Sequence, residues 1–147
     1  MKSRISIAAL FLGISMLAGC ASVPMSDPSA DAAAKQFAPV DGKSVLYIYR
    51  NETFGAAVKM DVSVDGKAVG QTASETYFRL VLDPGHHTVD SQKGTAKMDL
   101  DTEAGKVYYV WQEVKMGVWS ANSALHNEDT DKGQKDVKEC KLIKTAN

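Results

Sequence analysis

The sequence predicts an all-β domain, a sandwich of seven to eight short strands, and three observations carry that prediction. Apolar and polar residues alternate with a period of two along several segments downstream of residue 44. Turn signals recur between them at short spacing: Asp65-Gly66, Asp83-Pro84-Gly85, Lys93-Gly94 and Ala104-Gly105. The gaps hold no crossover helices, which argues against a parallel α/β architecture. The chain has 147 residues, one domain's worth, and can bury a core without staples.

The first segment stands outside that fold. Lys2 and Arg4 form a basic start, and residues 5–17 are almost entirely apolar or small. The stretch is shorter than the about 20 residues that a spanning helix needs. Residues 1–19 therefore read as a secretory signal. A cysteine closes the small-residue run Leu17-Ala18-Gly19-Cys20. This arrangement resembles the lipobox of bacterial lipoproteins. The resemblance implies that Cys20 receives lipid, that the signal is cut before it, and that Cys20 becomes the new N-terminus. Ala21 resembles the residue that sorts such proteins to the outer membrane of a Gram-negative envelope.

Residues 20–43 read as a lipid-anchored tether and a short helix. Asp27 is placed to cap that helix, Pro28 suits its first position, and Asp31 stands four before Lys35. Pro39 stops it, and Phe37 is its main apolar side chain to dock.

Residues 44–128 read as the sandwich. Val45-Leu46-Tyr47-Ile48-Tyr49-Arg50 is apolar on both faces, so it predicts a central strand covered on each side. Val58, Met60, Val62 and Val64 alternate with Lys59, Asp61, Ser63 and Asp65, one face to a core and one to water. Asp65-Gly66 turns this strand into a hairpin with residues 67–70. Strands follow at about 76–82, 87–89, 96–101 and 106–115. A last apolar segment near Val118 and Trp119 reaches towards Leu125. Residues 129–147 read as a polar tail or helix, with Asp129 or Thr130 as cap and Val137 and Cys140 facing the domain. Gly133 weakens that helix by about 1 kcal/mol relative to alanine.

The ordered set of residues 45–50, Val62 to Gly70, Thr76-Tyr77-Phe78, Pro84-Gly85-His86-His87 and Ala104 to Tyr109 resembles domain of unknown function 2846, a family of small bacterial proteins, many of them lipoproteins. The resemblance covers roughly residues 44 to 110. It implies a β-sandwich, immunoglobulin-like or PEGA-like, and an envelope location. It implies no catalytic residues. The chain departs from the usual pattern at Met116-Gly117-Val118-Trp119, which runs into Ser120-Ala121-Asn122-Ser123, so the resemblance leaves the register of the last strand open.

The chemistry-bearing residues are few. Removing Lys2 and Arg4 takes 17 basic residues to 15 against 18 acidic, a net charge of -3. Such a chain lacks the basic footprint of a nucleic-acid binder. Lipid on Cys20 would leave Cys140 as a lone thiol, read as a buried small hydrophobe rather than as half of an intermolecular pair. Adjacent His86 and His87 point to opposite sides of a strand and make a poor metal pair; His126 is remote. No serine sits in a nucleophile elbow. Asp61, Asp65, Asp99 and Asp101 alternate outward as a solvated face. The run from Asn127 to Gly133 fails as a calcium loop, because its glycine and twelfth residue are misplaced. No catalytic residue, metal site or cofactor is expected.

The aromatics are the remaining signal. Tyr77 and Phe78 must face opposite ways, as must Tyr108 and Tyr109, so some aromatics lie outside the sandwich core. Packing under the two chain ends is the favoured account. The alternative is an exposed recognition surface formed by Phe54, Tyr77, Tyr108 and Trp119. The function expected is noncatalytic binding or assembly by a lipid-anchored, extracytoplasmic protein, at the periplasmic face of the outer membrane. Its partners would be membrane lipid through the anchor and an envelope protein or glycan. The alternative is a small-ligand sensor or envelope enzyme with its site in the loops around Phe54 and Trp119.

Overall fold

The structure is a computed structural model and describes residues 22–146. Leu17, Ala18, Gly19, Cys20 and Ala21 lie outside the described residues. In chain order the elements are α1 (Pro28–Ala34), β1 (Ser44–Arg50), β2 (Met60–Val64), β3 (Lys67–Thr72), β4 (Thr76–Leu82), β5 (Gly85–Ser91), β6 (Ala96–Thr102), β7 (Val107–Met116), β8 (Ala121–Glu128), α2 (Thr130–Glu139) and β9 (Lys141–Leu142). Two sheets form the sandwich, one in the order β8-β7-β1-β4-β9 and the other β3-β2-β5-β6.

The all-β prediction holds, with eight full strands and the two-residue β9. Parallel pairing nonetheless occurs twice, between β1 and β7 and between β4 and β9. No crossover helix is needed for the first pair, because the chain passes through the opposite sheet between those strands. The strand near the end differs from expectation. Val118 and Trp119 stand in the β7–β8 hairpin loop, and β8 begins at Ala121, paired with Met116.

The central strand is covered on both faces, as its composition predicts: all seven residues of β1 are buried. Leu46 and Ile48 face the second sheet and pack with Val62, Phe78, Val89 and Val110. Tyr47 and Tyr49 face the other way and pack with Tyr77, Tyr109, Phe37 and Val137. Helices α1 and α2 form that outer layer. Tyrosines suit it because three of the four hydroxyls reach polar groups on the helices, Tyr109 being the exception. Tyr47 donates to the Ala34 carbonyl at 2.6 Å, Tyr49 to Asp136 at 2.9 Å and Tyr77 to Asp31 at 2.9 Å.

Helix α1 starts after Asp27, whose side chain makes no capping hydrogen bond, contrary to expectation, while the expected Asp31–Lys35 pair forms at 2.8 Å. Asp129 caps α2 by accepting from the Lys132 amide at 2.9 Å. Helix α1 ends before Pro39 is reached: Phe37 adopts a left-handed φ of 53° and is itself buried. Gly133 permits the close seat of α2. A Cβ there would stand 2.7 Å from Tyr109 Cδ1 and closer still to Cγ and Cβ.

Candidate functional site

One end of the sandwich gathers the features that packing leaves over. Arg50 ends β1 opposite Thr76, which begins β4, and β7 runs parallel to β1 towards the same end. The loop after β1, the turn 73–75 and the β7–β8 hairpin therefore lie together. Four large apolar side chains are exposed there: Phe54 at 59%, Met116 at 58%, Val118 at 88% and Trp119 at 96%.

The loop that carries Phe54 is clamped. Arg50 is fully buried, and its guanidinium donates to the carbonyls of Val58 and Gly55, each at 2.6 Å. Burial pulls its pKa below the ordinary guanidinium value, against the opposing pull of Glu52. The Glu52 carboxylate stands 3.6 Å from Arg50 Nε and accepts the Val114 amide and the Trp111 indole N–H, both at 2.9 Å. Ser74 Oγ donates to the Glu52 carbonyl at 2.8 Å and ties in the neighbouring turn. Phe54 thus projects from a fixed scaffold.

The hairpin beside it extends well past the sheet. The last β7 residue paired with β1 is Trp111, while the strand continues to Met116, roughly 16 Å further. The Gly117 amide donates to the Ser120 carbonyl at 2.9 Å to close the loop. A Cβ at Gly117 would stand 2.7 Å from that carbonyl oxygen, so the tight loop requires glycine. Val118 and Trp119 occupy its tip.

Two of the four residues proposed as a recognition surface belong to this end, Phe54 and Trp119. Tyr77 does not: it is fully buried beneath α1. Tyr108 does not either. It is half-buried against the sandwich core, and its hydroxyl accepts the Glu103 amide at 2.9 Å near the opposite end. Packing under the chain ends accounts for Tyr77, Tyr47, Tyr49 and Tyr109. Met116 and Val118 join the exposed set, and the Arg50–Glu52 clamp was not foreseen. A charged pair directly after an all-apolar strand is the signal that could have found it.

The described chain begins beside this end. Ser22, Val23 and Met25 line a groove of about 350 Å³ together with Ala73, Ser74 and Thr76. Met25 bridges Ile143 at the sheet edge. A larger cleft of about 660 Å³ lies between α1 and residues 142–145, with Arg79 and Lys144 among its lining groups.

The titratable groups are dispersed. His87 Nδ1 meets Asp65 at 2.7 Å and its Nε2 meets the Asp83 carbonyl at 2.8 Å, at the opposite end of the sandwich. Burial opposes its charge, but these two partners outweigh it and raise its pKa above 6.5. His86 pairs with Asp101 at 2.8 Å. His126 stacks on Trp111 at 4.8 Å and meets Glu113 at 2.8 Å. Among the described residues no three His, Cys, Asp or Glu side chains gather where they could hold a metal ion. Cys140 is buried, its Sγ 3.4 Å from the Asp136 carbonyl, and burial pushes its pKa up to about 12. It is a packed small side chain, inert as a nucleophile.

Comparison with a protein-family model covers most of the sandwich but neither helix. The family model described as "Protein of unknown function (DUF2846)" matches residues 40–124, which spans β1 to the first half of β8 and includes the whole exposed end. An uncharacterized protein of Haemophilus influenzae (strain ATCC 51907 / DSM 11121 / KW20 / Rd) is 34% identical over 133 residues, 88% of this chain and 79% of the relative. No solved structure matches.

Proposed function

The chain belongs to the DUF2846 family, and we propose that it is a lipid-anchored protein of the bacterial envelope whose sandwich serves noncatalytic binding or assembly. The observation that carries the reading is the run Leu17-Ala18-Gly19-Cys20 behind a basic start and a short apolar stretch. Acylated Cys20 would tether the domain extracytoplasmically, at the periplasmic face of the outer membrane given Ala21. Membrane lipid is then one partner through the anchor. An envelope protein or a glycan is the other. Two features support a binding role: a clamped loop and a hairpin present apolar side chains at one end, and the histidines are each engaged with separate carboxylates.

Crosslinking in intact cells, with partner identification, tests the reading by comparing wild type with Cys20→Ser. A partner captured by both chains places recognition in the domain. Loss of every partner from both chains would overturn the binding role. A second reading, a small-ligand sensor, is favoured by one observation, the cleft of about 660 Å³ with Arg79 and Lys144 in its wall. A small molecule that copurifies with the domain and is lost in Arg79→Ala would select it.

A further inference from the structure

We propose that the end of the sandwich bearing Phe54, Met116, Val118 and Trp119 docks on the lipid surface to which the chain is anchored, with the hairpin tip inserted at the headgroup level. The proposal rests on the lipid-anchor reading of Cys20.

Three observations select a lipid surface as the occupant. The first is where the described residues begin. Ser22 shares a groove with Ala73, Ser74 and Thr76, and Ser74 is hydrogen-bonded to the loop that carries Phe54. Only Ala21 separates Ser22 from Cys20, and the two residue steps span at most about 7 Å. An acyl chain on Cys20 therefore keeps this end close to the membrane, with no slack for the domain to stand far off.

The second is shape and chemistry. The four exposed side chains lie on a protruding loop and a protruding hairpin, rather than in a groove that would receive a peptide. Trp119 is 96% exposed at the apex. An indole suits a membrane interface, where its apolar body and its N–H are both accommodated. Neither side chain at the tip supports the core, so the exposure is not a by-product of packing.

The third is charge. The opposite end of the sandwich carries exposed Asp41, Asp65, Asp83, Asp101 and Glu103 against exposed Lys43, Lys67 and Lys106, with Asp83 paired to Lys43 and Asp65 and Asp101 paired to histidines. An acidic end is disfavoured at an anionic lipid surface. The far end is thus polar, with carboxylates outnumbering lysines, while the exposed apolar cluster stands at the end beside the anchor.

The test uses the mature acylated protein reconstituted into phosphatidylethanolamine–phosphatidylglycerol vesicles, with and without brominated acyl chains. The Trp119 contribution is the difference between wild type and Trp119→Phe, since Trp111 is held by Glu52 in both. Bromination is expected to reduce that contribution by about twofold or more, as for an indole at the headgroup boundary. Val118→Asp should abolish the quenching while the protein still floats with the vesicles. Flotation without any quenching of Trp119 would overturn the docking and leave the anchor standing. Wild-type protein that fails to float would remove the anchor, and the docking proposal with it. Thermal melts of both variants check folding; a melt at the wild-type temperature is expected of fully exposed positions.

Discussion

Replacing Gly133 with alanine should destabilise the domain, although helix propensity alone argues the reverse. Alanine in a helix interior is favoured over glycine by about 1 kcal/mol. Here the added Cβ would stand 2.7 Å from Tyr109 Cδ1 and nearer to Cγ and Cβ, whereas carbon atoms pack at about 3.5–4.0 Å. The Cβ is fixed to the backbone, so relief requires α2 to lift from the sheet. That helix is pinned by the fully buried Val137 and by the Tyr49–Asp136 hydrogen bond of 2.9 Å. Overpacking of this kind costs about 1–3 kcal/mol, and a clash this close belongs at or beyond the upper bound. After the propensity gain is credited, about 2 kcal/mol of net loss remains, which lowers Tm by roughly 6–10 °C for a domain of this size. Tyr109→Ala should not rescue the variant, because the tyrosine Cβ is itself one of the overlapping atoms. Thermal denaturation followed by circular dichroism reads both. A Gly133→Ala protein as stable as wild type, or more stable, would refute the close seating of α2 on Tyr109.

Further outcomes follow from the same contacts. Arg50→Met removes the donor to the carbonyls of Gly55 and Val58 and the cation beside Glu52, whose carboxylate keeps only its bonds from Val114 and Trp111, and should cost about 3 kcal/mol in urea unfolding; a loss below about 1 kcal/mol would contradict the clamp. Cys140 should resist alkylation at pH 8, where a thiol with a pKa near 12 is ionised in only about one molecule in ten thousand, and should react once when the chain is unfolded. A second reactive thiol in the mature protein would show that Cys20 is unmodified. The His87–Asp65 pair gives a pH signature. The raised pKa of His87 contributes stability fully present below 6.5 and lost as pH rises through its folded value. The lowered pKa of Asp65, set first by its hydrogen bond to His87, contributes stability present above 3.8 and lost as pH falls through its folded value. The urea midpoint should therefore decline between pH 6 and 9 in wild type and decline less in His87→Gln; equal slopes would remove the pair's role.

The strands were legible because their period-2 alternation and Gly-containing turns are local properties. The two-sided burial of β1 was legible for the same reason, since Tyr47 and Tyr49 cannot share a face with Leu46 and Ile48. Parallel pairing of β1 with β7 was not, because the partners are some 60 residues apart and the connection runs through the other sheet. The hairpin tip was misplaced for a chemical reason. Val118 and Trp119 carry strong β propensity, and propensity cannot distinguish an apolar residue that packs from one held out by a tight Gly117 loop. Of the aromatics proposed as a surface, Phe54 and Trp119 are exposed at one end, and Tyr77 is consumed by its hydrogen bond to Asp31. Gly133 looked like a helix weakness and is a packing requirement, visible only once Tyr109 lies beneath it.

The proposed role requires that Cys20 carry lipid and hold this domain at a membrane. Mass spectrometry of the N-terminal peptide from protein extracted from cell membranes tests it most directly. The predicted result is a peptide that begins at Cys20 and bears acyl mass. A peptide that retains residues 1–19, or that carries an unmodified Cys20 thiol, would contradict it.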